Sequence, residues 1–82
     1  MAETITVNYF AGLVDRTGCA REQFALDTLT VGALRAAVAE RHGSATGELV
    51  DHCSVLDGDD LLRDDAAAIG TEVDLLPPFA GG

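Results

Sequence analysis

At 82 residues, nearly half of them apolar, the chain is sized for one globular domain and leaves no room for a deep substrate cavity of its own. Fourteen acidic against five basic side chains give a formal net charge of -9, which disfavours nucleic acid and anionic membranes and favours a basic partner face. The longest apolar runs, such as Ala66-Ala67-Ala68-Ile69, fall far short of the ~18 residues of a membrane-spanning helix, and Glu3 argues against a secretion signal, so a soluble cytoplasmic protein is expected.

In chain order, Thr4 to Phe10 alternates Ile5, Val7 and Tyr9 with Thr6 and Asn8, the period of a half-buried strand. Ala11 to Ala20 contains Gly12 and Gly18 and reads as a loop with one helical turn. Gln23 to Leu26 is a second strand that points Phe24 and Leu26 to one side. Thr30 is placed to cap a helix from Val31 to His42 whose inner stripe is Val31, Leu34, Ala37, Val38 and Arg41, with Arg35, Ala36 and Glu40 facing water and Gly43 as its left-handed stop. Ser44 to Val50 reads as a connection with a short turn near Gly47. His52 to Leu56 and Asp60 to Arg63 flank Asp57-Gly58-Asp59, a strong hairpin signal. Asp64 to Gly70 is a loop with a tight turn over the core, and Glu72 to Leu76 is the fifth strand, with Val73 and Leu75 toward the helix. This order predicts an α+β protein with a ubiquitin-like β-grasp roll: a five-stranded mixed sheet, one main helix, and the first and last strands parallel at its centre. Residues 1–76 form the domain and residues 77–82 an extended tail.

The tail carries the chemistry. Pro77 and Pro78 forbid helix and ladder pairing, so the chain leaves the sheet as a stiff arm; at ~3.1 Å per residue, Pro77 to Gly82 reaches roughly 19 Å. Gly81-Gly82 makes a tip without Cβ atoms that can enter a narrow channel. What it offers there is the Gly82 carboxyl group, ionised at neutral pH and a poor electrophile until a mixed anhydride with ATP supplies a leaving group. Leu76 on the uncovered face and Phe79 on the arm form an anchor pair for a partner, with Pro77, Pro78 and Ala80 between and beyond them. The chain contains no lysine, so one copy offers no side-chain amine to the tail of another.

Other reactive side chains are few. Cys19 and Cys53 are distant in sequence and support neither a metal site nor a disulfide framework. Cys53 is expected buried in a strand, and Cys19 in a loop beside Arg16 and Arg21, a placement that would favour its thiolate. His42 and His52 stand apart from any partner in sequence, and packed or solvated roles are expected for both.

The segment Tyr9-Phe10-Ala11, the Asp-Gly hairpin and the run from Gly70 to Gly82 closely resemble the small subunit of molybdopterin synthase, over the whole chain and most specifically in that terminal run. The resemblance implies a non-catalytic sulfur carrier. Gly82 would be adenylated by an enzyme related to ubiquitin-activating enzymes, which uses the ATP, and converted to a thiocarboxylate. The tail would then insert into the large synthase subunit, within a heterotetramer, and donate sulfur to the pterin precursor of the molybdenum cofactor. No bound cofactor or metal is implied. Two alternatives share the fold: a sulfur carrier for thiamine, cysteine or natural-product synthesis, and a ubiquitin-like modifier of other proteins.

Overall fold

Alternation in the strands decides the architecture. A computed structural model describes residues 2–78, in the order β1 (Glu3–Tyr9), α1 (Gly12–Thr17), β2 (Arg21–Leu26), α2 (Val31–His42), α3 (Ser44–Asp51), β3 (Ser54–Asp57), β4 (Asp60–Leu62) and β5 (Glu72–Leu76). The strands form one mixed sheet in the order β2-β1-β5-β3-β4, with β1 and β5 parallel and the other neighbours antiparallel. This is the expected β-grasp arrangement. Ile5, Val7, Tyr9, Phe24, Leu26, Val55, Val73 and Leu75 all point to the helix side and are buried there with Val31, Leu34 and Val38 of α2.

α2 begins where its cap predicts, the Thr30 hydroxyl accepting from the Ala33 amide at 3.2 Å. Gly43 ends it at φ 97°, ψ 168°, a positive φ but not the expected left-handed helical stop, because the chain turns there directly into α3. α3 itself replaces the short turn expected before Val50. Local signals for it are weak, since its first turn has no side-chain cap. Packing supplies what they lack: Gly47 lies so close to α2 that a Cβ there would stand 2.6 Å from the Ala39 Cβ, and only glycine permits that approach. Because α3 continues to Asp51, Cys53 falls in the turn before β3 and not in the expected strand. It is buried as expected, its thiol pointing at the Leu49 carbonyl 3.2 Å away, and burial pushes its pKa up to about 11 against the opposing charge of Arg35.

Arg35 does not face water. Residues 64–69 fold back across α2, with the Val31 amide donating to the Ala67 carbonyl and the Gly32 amide to the Asp65 carbonyl. That strap covers Arg35, whose guanidinium donates to Asp65 Oδ1 (2.7 Å) and to the Cys53 carbonyl (2.9 Å). The strap also seats Ile69 in the core, as the tight turn predicted there requires.

α1 is a six-residue helix held by Leu13, which is fully buried. Its entry is strained: Ala11 has φ 52°, ψ -129°, the one positive-φ residue other than glycine among the described residues. Such a conformation costs on the order of 1–3 kcal/mol.

Candidate functional site

The root of the arm is held from both sides. β5 registers in parallel with β1 from Thr6↔Glu72 to Tyr9↔Leu75, and antiparallel with β3 through Leu56↔Asp74, Val55↔Leu75 and Ser54↔Leu76. Just before it, the Thr6 amide donates to the Thr71 carbonyl and the Gly70 amide to the Asp57 carboxylate at 2.9 Å. The last ordered pairing thus falls at Leu76, immediately before Pro77, which has no amide hydrogen to extend the ladder. Leu76 and Pro77 are half-buried and Pro78 is exposed. The remaining expected site residues, Phe79, Ala80, Gly81 and Gly82, lie outside the described residues.

Leu76 faces away from the helices, as expected, and belongs to a surface the strand alternation creates but that sequence reading reached only at Leu76. Registered neighbours on this open face are Asn8, Asp74 and Leu56, and Leu56 in turn pairs with Leu61 of β4. Leu61 is 44% exposed and Phe10, just past β1, is 43% exposed. The signal for Phe10 was present: it continues the solvent-side phase of Thr4, Thr6 and Asn8, where a large aromatic is out of place. Leu61 needed the hairpin register to be found.

Carboxylates accompany these apolar groups. The Asn8 amide donates to Glu72 Oε2 and Asp74 Oδ1, both at 2.9 Å, while its oxygen accepts from Arg21 Nε at 3.0 Å. Glu72, Asp74 and Asp57 line a shallow depression of about 470 Å³ with Leu56, Gly58 and Thr71. This acidic depression lies toward the start of β5, with Asp74 the carboxylate nearest to Leu76.

On the helix side of the sheet, Glu22 gathers three partners. Its Oε1 accepts from the Tyr9 hydroxyl (2.7 Å) and meets His42 Nε2 at 2.6 Å, and its Oε2 lies 3.4 Å from Arg41. Burial alone would raise the Glu22 pKa; the hydrogen bonds from His42 and Tyr9, the charge of His42 and the contact with Arg41 outweigh it and hold the carboxyl below its ordinary value. Burial and the same carboxylate drive Tyr9 well above the ordinary phenol range. His42 is thus a packed structural group, tied to Glu22, and His52 is exposed. Cys19 is half-buried, its thiol resting against Thr17. Among the described residues no group of three or more His, Cys, Asp or Glu is placed to hold a metal ion, and no helix is long and apolar enough to cross a membrane.

A fixed central strand that ends at two prolines, beside an open face carrying exposed apolar side chains, is a geometry for presentation. The ThiS family model matches residues 7–82. The chain belongs to the ThiS family. The family's members are small, non-catalytic, ubiquitin-like sulfur carriers. No curated protein matched the chain in sequence. Among solved structures, this ThiS-family chain is similar to small archaeal modifier protein 1 (SAMP1) of Haloferax volcanii, with 30% identity over 98% of this chain and 100% of that one and a TM-score of 0.70. It is also similar to a chain in the complex of subunits 1 and 2 of molybdopterin-converting factor from Helicobacter pylori 26695, at 23% identity, covering 98% of this chain and 100% of that one, TM-score 0.61. SAMP1 of Methanosarcina acetivorans shares 15% identity over 100% of this chain and 99% of that one, with a TM-score of 0.78. The last two likenesses speak to the fold alone.

Proposed function

We propose that the chain is the sulfur-carrying small subunit of molybdopterin synthase. Gly82 is the adenylation and thiocarboxylate site, Gly81 keeps the approach narrow, and Leu76, Pro77, Pro78, Phe79 and Ala80 engage the partner. In this reading the Gly82 carboxylate attacks ATP in an activating enzyme of the ubiquitin-activating type, releasing pyrophosphate; a sulfur nucleophile then displaces AMP, leaving the thiocarboxylate. The arm enters the large synthase subunit, within a heterotetramer in the cytoplasm, and that subunit supplies the catalytic groups. The carrier binds no cofactor itself. The observation that most supports this reading is the rigid root of the arm: a central strand, clamped on both sides, that ends at Leu76 against two prolines. The Helicobacter complex makes the large subunit the natural partner to try.

The test is an intact mass after incubation with ATP, an activating enzyme and a sulfur source. A change matching one oxygen exchanged for sulfur, located in the C-terminal peptide, is expected; deletion of Gly82 should abolish it while leaving the thermal midpoint unchanged, because a chain tip buries little. An unmodified mass would overturn the reading. A thiocarboxylate that forms but serves a thiazole or cysteine synthase would move the chain to a sister pathway.

A second reading is favoured by the 30% identity to a small archaeal modifier protein: the activated tail is joined to lysines of other proteins. Adducts on cellular proteins that survive thiol reduction would support it. With no lysine in the chain, such adducts should carry single copies and not side-chain-linked polymers.

A further inference from the structure

Two strands stand at the edges of the sheet, and they are protected differently. β4 is three residues long and begins with Asp60, a short, charged edge that offers little to pair with. β2 runs six residues, from Arg21 to Leu26, and no strand covers its outer side. The ladder to β1 fixes which of its groups are free. The Tyr9 amide donates to the Ala20 carbonyl, and bonded pairs recur at every second residue from there, so Glu22, Phe24 and Leu26 bond inward while the amides and carbonyls of Arg21, Gln23 and Ala25 point away from the sheet.

One of those outward groups is occupied, and by a side chain from another element. Arg41 reaches from the last turn of α2 to the edge, its Nη1 donating to the Gln23 carbonyl at 2.8 Å and lying 3.4 Å from Glu22 Oε2, with its guanidinium carbon 4.1 Å from the centre of the Phe24 ring. Glu22 is itself fixed by Tyr9 and His42. Arg41 is thereby held on three sides, and its Nη1 stands where the amide of a further strand would have to come.

We infer that the free edge of β2 is a strand-pairing surface for a second copy of this chain, and that Arg41 is the latch that keeps it shut. The occupant follows from the strand's own pattern. Two β2 strands, antiparallel and centred on Phe24, set Gln23 against Ala25 and Arg21 against Asp27 on both sides of the twofold axis, so outward backbone groups meet and each arginine faces a carboxylate. Centring the pair on Glu22 would oppose that carboxylate to its own copy, and centring it on Gln23 would leave Arg21 facing Ala25. The surface is separate from the root of the arm, because β1 lies between β2 and β5, and the inference does not depend on what the tail carries.

The experiment is light scattering on the size-separated full-length chain at about 0.5 M salt, where repulsion between acidic copies is screened, with the thermal midpoint of each variant measured in parallel. The natural chain should be monomeric. Arg41→Met keeps an apolar stem over Phe24 but removes every donor, and should lower the dimer dissociation constant about tenfold or more at a similar midpoint. Arg41→Leu carries the same expectation and guards against a folding defect peculiar to one variant. Loss of charge alone predicts the reverse, since it takes a cation from a chain already at -9 and so increases repulsion. Adding Ala25→Pro to Arg41→Met should restore the monomer, because proline removes an outward amide that the ladder to β1 does not use. Amide exchange at Gln23 and Ala25 should slow as the variant associates. A natural chain already paired through β2, latch variants as monomeric as the natural chain, or association that survives Ala25→Pro would each overturn the inference.

Discussion

Leu75 and Leu76 are neighbours of the same type in one strand, yet Leu75 is fully buried in the core while Leu76, registered with Ser54, lies half-exposed on the face that also carries Asn8, Asp74 and Leu56. The same division runs across the whole sheet. On its covered face, Ile5, Val7, Val55 and Val73 fill the core; on its open face, the positions between them carry Thr6, Asn8, Glu72 and Asp74, with Phe10, Leu56 and Leu61 as the apolar exceptions. What this teaches is a division of labour. One face holds the fold together and so fixes where the arm begins; the other contributes little to stability and is free to be recognised.

The comparison can be broken most forcefully at Leu75. Leu75→Ala removes a side chain from the centre of the core and should cost about 2–5 kcal/mol, read as a large fall in the urea midpoint. A smaller effect is expected at the edge of the covered face. Glu22→Gln should cost about 1–3 kcal/mol at neutral pH, by weakening hydrogen bonds to an ionised group that is largely buried. Because the Glu22 pKa is lowered in the folded chain, its stabilisation is present above the ordinary carboxylate value of about 4.3 and is lost as pH falls through the lower folded value. Urea midpoints of the two proteins should therefore differ at neutral pH and converge in strong acid; a constant difference would mean the carboxylate charge is irrelevant. The smallest effect on stability belongs to Leu76→Ala, under about 1 kcal/mol. If that substitution unfolds the chain as Leu75→Ala does, the division between the faces is wrong.

Much of this was legible before the structure. Ile5, Val7 and Tyr9 announce a strand with one buried side, Thr30 announces the start of α2, and Asp57-Gly58 announces the hairpin that the observed pairing of Asp57 with Asp60 closes. Strand ends moved by a residue or two, since Arg21 and Glu22 join β2 through pairing with Asn8 and Val7, not through any preference of their own. α3 was harder to see because its stability comes from the Gly47 approach to Ala39, a contact between helices. Arg35 was misjudged for a related reason: a charged residue on a helix reads as solvated until a distant segment, here the strap at Asp65, arrives beside it. At the candidate site, the end of β5 at Leu76 was visible in the run from Leu75 to Pro78, whereas the exposure of Leu61 and the Asn8 bridge between Glu72 and Asp74 required the sheet order.

By itself, then, the sequence determined everything that depends on neighbours along the chain: which residues of each strand turn inward, where α2 is capped, and where two prolines end the last strand. Only the tertiary structure decided what depends on neighbours brought from afar: that β5 lies between β1 and β3, that Phe10 and Leu61 share a face with Leu76, and that Ala11 is held in a conformation it would not choose. The physical reason is the range of the forces involved. Backbone sterics and side-chain alternation act within a few residues, while register, close approach and strain exist only once the core has closed around them.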